Sequence, residues 1–436
     1  MAEQTRGGLD RRTFLALGGG LAAASALAAC GSNTGRGPSA GGSTAAASSS
    51  GGGSTVALSQ WYHQYGEKGT EQAVKRYASD YQQADVSVQW IPGDYDKKSA
   101  SALLTNKGPD VFEYGNGPSI DMITGKQVVP LGDLLGDARS DFTPSLLQRM
   151  TYQGKLWGIP QVTDMQLLVY RKSMLKKAGV QPPKTLDDLL TAAKALTTDK
   201  VKGLFVGNDG GVGVLGGPIL WATGHDYLTQ DNQPDFAAAE VYDGLKKLHT
   251  LFTSGSLLLG APADWSDPSA IIQGLTAMQW TGLWTFPQLK DALGDDFDVL
   301  PFPAAPGGSP SVPVGAYASC VSAKSPHVDA AKAFVKWLWV DQTDKQLDWA
   351  QSYGFHIPAR KSLIEQADDL KSGSAAKAAH MVNDVGHAQT PLLWTPASST
   401  AYSDALNKII RSGADPASQL AAVTKTVRQE LKRVSA

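Results

Sequence analysis

Hydrophobic positions along the chain recur with two alternating periods. Val56 and Leu58 fall on one face of a short strand, and Val74, Tyr77, Ala78 and Tyr81 follow at helical steps. Val86, Val88 and Trp90 alternate as a second strand, Ala100, Leu103 and Leu104 mark a helix entered after Asp94, and Asp110-Val111-Phe112-Glu113 reads as a third strand. Strand, helix, strand, helix, strand in this order predicts parallel pairing through helical crossovers, an α/β fold. The order recurs: residues 166–170 form a buried strand, residues 172–178 a short helix stopped by Gly179, and Thr185 caps a helix from Leu186 to about Leu196. Asp187 and Asp188 sit in the first turn of that helix, where its dipole favours them. Prolines 301, 303, 306, 310 and 313 exclude a helix from residues 300–313 and predict a loop approaching a domain crossing. Residues 330–340, apolar nearly all round, predict a core helix, and two amphipathic helices between 401 and 434 close the chain.

The first 54 residues break this pattern. Arg11 and Arg12 precede an apolar run, interrupted by Gly18-Gly19-Gly20, that is too short for a stable membrane-spanning helix and is read as a signal peptide over residues 1–29. The run ends in Leu27-Ala28-Ala29-Cys30, which resembles a lipobox and makes Cys30 the expected site of lipidation. Asp10-Arg11-Arg12-Thr13-Phe14-Leu15 resembles the twin-arginine motif, with a Sec signal carrying two arginines as the alternative. Residues 30–54 are the acylated cysteine and its tether; of the 24 residues 31–54, 15 are Gly or Ser, so this stretch cannot form a core. As a coil it spans roughly 25–30 Å. The expected location is the extracellular face of the cell membrane, held there by lipid.

The 436 residues exceed one ordinary core, and with 42% hydrophobic residues two domains are expected. A net charge of −2 lacks the basic excess that neutralises phosphates, so nucleic acid is not an expected partner. Two cysteines support neither a disulfide framework nor a thiolate metal cluster; Cys320 reads as a small buried residue. Seven histidines lack ligand spacing, with His380 and His387 expected on a solvated helix surface, and no metal or cofactor is expected.

Candidate chemistry gathers at strand ends. Gln60-Trp61-Tyr62-His63 follows the first strand and Glu113-Tyr114-Gly115-Asn116 the third, where open α/β sheets place their ligand crevice. Trp221, Trp265, Trp280, Trp284, Tyr317, Phe355 and Trp394 lie among Gly, Pro and polar residues, whereas Trp90, Trp337, Trp339 and Trp349 lie in apolar segments and read as core. Aromatic faces beside carboxylates and amides suit a sugar, whose C–H face stacks on a ring while its hydroxyls seek planar donors and acceptors.

At this point the chain resembles the family 1 extracellular solute-binding proteins, the carbohydrate receptors of ABC importers. Gly108-Pro109-Asp110-Val111 followed by Glu113, then Gln127-Val128-Val129-Pro130-Leu131-Gly132-Asp133-Leu134-Leu135, are similar to the strand entering the cleft and the segment after it. Gly154-Lys155-Leu156-Trp157-Gly158-Ile159-Pro160, Thr163-Asp164 and Pro183-Lys184-Thr185-Leu186-Asp187-Asp188-Leu189 resemble the hairpin and first crossover. Ala277-Met278 with Gly282 and Trp284, Gly315-Ala316-Tyr317, and the run Gly354-Phe355-His356-Ile357-Pro358-Ala359-Arg360-Lys361 match later signatures. The resemblance implies a two-lobe, type II periplasmic-binding-protein-like fold, each lobe a mainly parallel sheet flanked by helices, with the ligand cleft between them. The lobes would comprise residues 55–163 plus 314–341 and residues 164–313 plus 342–436, crossing near Asp164, Val312 and Asp341. It implies ligand-binding roles for Gln60, Trp61, His63, Glu113 and Asn116 from the first lobe, Asp164 and Tyr317 at the hinge, and Trp284, Phe355, His356 and Trp394 from the second. His356 departs from the small or apolar residue common in that loop. The implied function is capture of a sugar or oligosaccharide and delivery to the permease by a monomeric, membrane-anchored binding protein without enzymatic activity.

A secreted glycoside hydrolase using Glu113 and Asp164 is the alternative, with no Gly-x-Ser-x-Gly, His-Glu-x-x-His or Walker motif pointing to other enzyme classes. Gly211-Val212-Gly213-Val214-Leu215-Gly216 matches a dinucleotide fingerprint, but it lies in a denser Gly run far from the first βαβ unit and is read as a loop near the cleft leading into a helix around Trp221. No repeats suggest an adhesin.

Overall fold

The computed structural model describes residues 55–435; the expected signal, lipobox and tether lie outside the described residues. The strands in chain order are β1 (Val56–His63), β2 (Ala84–Ile91), β3 (Val111–Gly115), β4 (Thr151–Tyr152), β5 (Lys155–Leu156), β6 (Ile159–Pro160), β7 (Val162–Arg171), β8 (Lys202–Phe205), β9 (Thr276–Gly282), β10 (Phe297–Leu300), β11 (Val312–Gly315), β12 (Tyr317–Val321), β13 (Ile357–Pro358) and β14 (Gly386–Ala388). The first sheet runs β2-β1-β3-β12-β6. β1 pairs in parallel with β2 and β3, as the strand–helix alternation predicts, and β12 returns antiparallel between β3 and β6.

The second sheet runs β14-β11-β7-β9-β8, with β10 and β13 also on β7. Here the expected mainly parallel pairing does not hold: β7 is antiparallel to β9, β10, β11 and β13, and only β8–β9 and β11–β14 are parallel. The direction of β7 is set by its arrival from β6 of the first sheet and not by a helical crossover, so its neighbours pair with a strand already oriented. The ten residues of β7 are buried nearly throughout. Met165, Leu167 and Val169 face one core with Phe286, Val299 and Val314, while Leu168 and Tyr170 face the other with Leu204, Trp280, Leu245 and Ile409.

The first core collects Leu58, Tyr62, Val111, Phe334, Trp339 and also Trp349, Ala350 and Ala359. The helix Thr343–Gln351 therefore packs with the first lobe, beyond the crossing expected at Asp341, because its large indole completes that core. Burial of each large apolar side chain among these contributes about 1.5–3 kcal/mol.

Local signals act as their chemistry dictates. Thr185 and Asp188 form a reciprocal capping box on Leu186–Leu196, Gly179 takes φ 68° after Lys172–Ala178, and the Asp94 carboxylate accepts from the Lys97 amide at the start of Tyr95–Leu103. The expected core helix is present as Val328–Lys336 continued by a π-helical turn, Trp337–Asp341. The closing helices are Pro396–Ser412 and Pro416–Ser435. The last reaches the first lobe, where Arg433 pairs with Asp121 at 2.8 Å. Among the described residues no helix is long and apolar enough to cross a membrane.

Candidate functional site

A cleft of about 630 Å³ opens between the two sheets, beyond the carboxyl ends of β1, β3 and β9. His63, Gln64, Tyr65 and Glu67 reach it from the end of β1, Asp96 from the first turn after Asp94, and Asn116 from the end of β3. Trp265, Asp267, Trp284 and Gln288 face it from the other lobe, while Asp164, Gln166, Tyr317, His356 and Gln389 lie along the floor and crossings. Four carboxylates and two imidazoles line the cleft, with no lysine or arginine among the described residues.

The first wall is fixed from below by Glu113. This carboxylate is 1% exposed, and its Oε1 accepts from the backbone amide of His63 at 2.8 Å and from the His63 ring, while Oε2 accepts from the Tyr65 hydroxyl at 2.7 Å. Both oxygens are engaged in holding the His63–Tyr65 turn, so Glu113 supports the cleft without lining it. Burial, reinforced by the Glu113 charge, pushes the Tyr65 hydroxyl well above its ordinary pKa, which keeps it a donor. His63 stacks on Tyr317 with ring centres 4.3 Å apart and planes 17° apart, presenting one aromatic unit to the cleft.

Strand geometry decides the fate of the Gln60–His63 run. Leu58, Gln60 and Tyr62 face the first core, and Gln60 donates to the Tyr62 hydroxyl at 3.0 Å. Trp61 shares the opposite face with His63 but lies two residues back from the strand end, packed against the cluster of Phe112 and Cys320. Only His63 of this run reaches the cleft. Cys320 is fully buried, and burial raises its thiol pKa, as befits a small core residue.

Asn116 adopts a left-handed φ of 62°; its Oδ1 accepts from the Ala316 amide at 3.2 Å and its Nδ2 donates to Gln389 Oε1 at 3.1 Å, so it ties the β3 end to the second lobe. Glycine is required opposite, since a Cβ at Gly315 would lie 2.6 Å from Asn116 Oδ1. Trp284 donates from Nε1 to the Ser266 carbonyl at 2.9 Å and meets Trp265 edge-on at 5.7 Å. His356, 2% exposed, places Nδ1 against Asp164 Oδ1 and Nε2 3.3 Å from Glu67 Oε1.

A smaller compartment of about 210 Å³ meets the cleft at Gln166, Pro313 and Gln389. Trp394 lines this compartment with Trp221, Tyr227 and Tyr402, and the Gly-rich loop forms one side, leading as expected into the helix Gly216–Ala222. His387 is not on a helix surface: it lies in β14 and stacks on Trp221 at 4.7 Å, and burial lowers its pKa.

Of the sequence-derived candidates, His63, Asn116, Asp164, Trp284, Tyr317 and His356 come together in the cleft and Trp394 in its side compartment. Gln60, Trp61, Glu113 and Phe355 line neither; Phe355 packs beside Phe286 at 6.0 Å in the second lobe. The hydrolase pair is not assembled, because Glu113 is enclosed with both oxygens bonded. Glu67, Asp96, Gln166, Asp267 and Gln389 were not singled out by sequence; for Asp96 the available signal was its place in the first turn of the helix expected after Asp94. Among the described residues no cluster of three His, Cys, Asp or Glu could hold a metal.

Comparison with known proteins agrees with this architecture. The sequence profile described as bacterial extracellular solute-binding protein matches residues 65–342. The chain is 28% identical over 328 residues to the diacetylchitobiose binding protein of Streptomyces coelicolor, covering 68% of this chain and 70% of that protein. A solute-binding protein of Thermotoga lettingae, solved with alpha-D-tagatose, superposes with a TM-score of 0.74 at 22% identity, covering 86% of this chain and 100% of that one. The GacH receptor of Streptomyces glaucescens, solved unliganded and with acarbose, gives 0.74 at 22% identity, covering 87% and 99%. These likenesses show the two-lobe type II periplasmic-binding-protein fold, and the profile match shows that the chain belongs to the family of bacterial extracellular solute-binding proteins.

Proposed function

We propose that this protein captures a saccharide in the cleft, closes its lobes over it and hands it unaltered to the membrane subunits of an ABC importer. The observation that carries the reading is the cleft lining: aromatic faces of Trp284, Tyr317 and Trp265 beside the planar groups of Gln64, Asp96, Gln166, Asp267, Gln288 and Gln389, with no lysine or arginine. An anionic solute would meet four carboxylates there, whereas neutral hydroxyls find acceptors. Each hydroxyl partner contributes about 1 kcal/mol, so several in sum reach micromolar affinity, about −8 kcal/mol. The relatives named above are a diacetylchitobiose binding protein and receptors solved with alpha-D-tagatose and with acarbose, which supports the same class here.

In outline the lobes are residues 55–163 with 314–351 and residues 164–313 with 352–436; the place of Trp349 and Ala350 in the first core supports giving that lobe the helix Thr343–Gln351, while Ala359 reaches the same core from the other segment. A ligand that bonds both lobes binds the closed state better and shifts the hinge equilibrium toward it. His63, Asn116, Asp164, Trp284, Tyr317 and His356 act in the cleft and Trp394 beside it. Nothing is made or broken, so neither cofactor nor catalytic residue is needed. The receptor works as a monomer, exported by its signal and held at the extracellular face through lipid on Cys30.

A thermal-shift screen of neutral mono- and oligosaccharides tests this, because a solute that binds only the folded state stabilises it in proportion to ln(1 + [L]/Kd). Saturable binding with the sugar recovered intact is expected. A panel in which acidic solutes bind and neutral sugars do not, or in which product accumulates, overturns it.

A further inference from the structure

His356 is set apart from every other cleft residue by what faces its ring. Nδ1 bonds to Asp164 Oδ1 and Nε2 lies 3.3 Å from Glu67 Oε1, so both nitrogens address carboxylate oxygens. A neutral imidazole offers one donor and one acceptor, and an acceptor nitrogen aimed at a carboxylate would repel it; two donors require the imidazolium. Its side chain is 3% exposed, against 8% for Glu67 and 19% for Asp164, so the three groups meet largely out of water. Burial alone would lower the His356 pKa, but Asp164 and then Glu67 outweigh it and raise the value to about 10.

Among the described residues, Asp164 and Glu67 are the charges that act on the ring. Glu67 comes from the loop after β1 and Asp164 from β7, and Tyr317 of β12, the further titratable group beside these two carboxylates, is held neutral by burial and by Glu113 and the other nearby acids. The backbone closes the arrangement: His356 N donates to the Ala350 carbonyl at 2.9 Å, and a Cβ at Gly354 would lie 3.2 Å from Glu67 Oε1 and 3.3 Å from His356 Nε2. Among the described residues, Glu67 Oε2 and Asp164 Oδ2 take no hydrogen bond, and both side chains line the cleft.

We propose that His356 is a positioning residue of the binding cleft, a charged clamp that holds Glu67 and Asp164 in place so that their second oxygens accept hydroxyls of an uncharged saccharide. This rests on the reading of the cleft as a sugar site and adds a specificity rule to it. One imidazolium offsets two carboxylates and no lysine or arginine offsets the rest, so a uronic acid is rejected where the neutral sugar of the same ring is accepted.

The test has two arms. In the full chain labelled with ¹⁵N-histidine, the His356 ring is expected to show both nitrogens protonated and no titration between pH 5.5 and pH 8.5, by reference to the ordinary value of about 6.5; a ring that titrates near that value overturns the clamp whatever the ligand. In the second arm, maltotriose, cellotriose and N,N′-diacetylchitobiose are titrated into wild type and His356→Gln. The variant, with one neutral amide in place of two donors, is expected to bind about tenfold or more weaker at pH 7 and to gain a pH dependence between pH 5 and pH 8 that wild type lacks, with His356→Arg recovering the flat profile. Unchanged affinity and a flat profile in His356→Gln overturn the proposal. Failure of all three sugars to bind wild type would count against the saccharide class and so against the acceptor role proposed for these oxygens, while the ring titration still decides the charge state.

Discussion

The indole of Trp284 lies against Gly282: a Cβ at Gly282 would come within 1.9 Å of the ring. β9 ends at Gly282 with an extended φ of −134°, so the requirement for glycine comes from this close approach and not from a left-handed backbone. The ring is further pinned by its hydrogen bond to the Ser266 carbonyl and by Trp265.

Gly282→Ala is therefore expected to displace Trp284 from its seat. Saccharide affinity should fall about tenfold, about 1.4 kcal/mol, and the tryptophan emission change on ligand binding should shrink. Trp284→Ala should cost a similar amount; a dissociation constant unchanged in both variants, with folding intact, would remove Trp284 from the site.

Glu113 carries a different expectation. Glu113→Ala leaves the Tyr65 hydroxyl and the His63 amide without their buried acceptor and should destabilise the fold by about 1–3 kcal/mol in urea unfolding. Ligand should bind more weakly as the His63–Tyr65 turn loosens, and neither wild type nor variant is expected to turn sugar over. Sugar cleavage by wild type that disappears in Glu113→Ala would restore the hydrolase.

The His356 clamp has a signature in stability as well as in binding. Its folded-state pKa of about 10 lies above the ordinary value, so its contribution is fully present below about pH 6.5 and is lost as pH rises through about 10. The difference in unfolding free energy between wild type and His356→Gln should narrow steadily between pH 7 and pH 10. A difference that is constant across that range, read from melts at fixed ionic strength, contradicts it.

Replacing Cys30 by Ala should move the protein from the membrane fraction to the medium, and inhibition of lipoprotein signal peptidase should accumulate the precursor. Normal membrane retention of Cys30→Ala would remove the lipid anchor.

Much of this was legible in the chain. Alternation in β1 and β2, the Thr185 capping box and the Gly179 stop each depend on residues a few positions apart, and each acts locally as written. The crevice at the strand ends was legible for the same reason, and His63 and Asn116 lie there. The place of Glu113 beneath the His63–Tyr65 turn was not legible, because it depends on residues some 50 positions away. Phe355 and Trp61 were decided by side-chain packing between distant segments, and the direction of β7 by its arrival from β6, none of which leaves a periodic trace. Asp96, Glu67, Gln166 and Gln389 are polar residues of loops, helix starts and a buried strand, where no hydrophobic period marks which side chain turns inward.

Small-angle X-ray scattering of the chain with and without the tightest-binding neutral saccharide tests the central claim most directly. Closure of two lobes over the ligand predicts a smaller radius of gyration at saturation, with the sugar recovered chemically intact. A scattering curve that does not change at saturating sugar, or a sugar recovered cleaved, contradicts it.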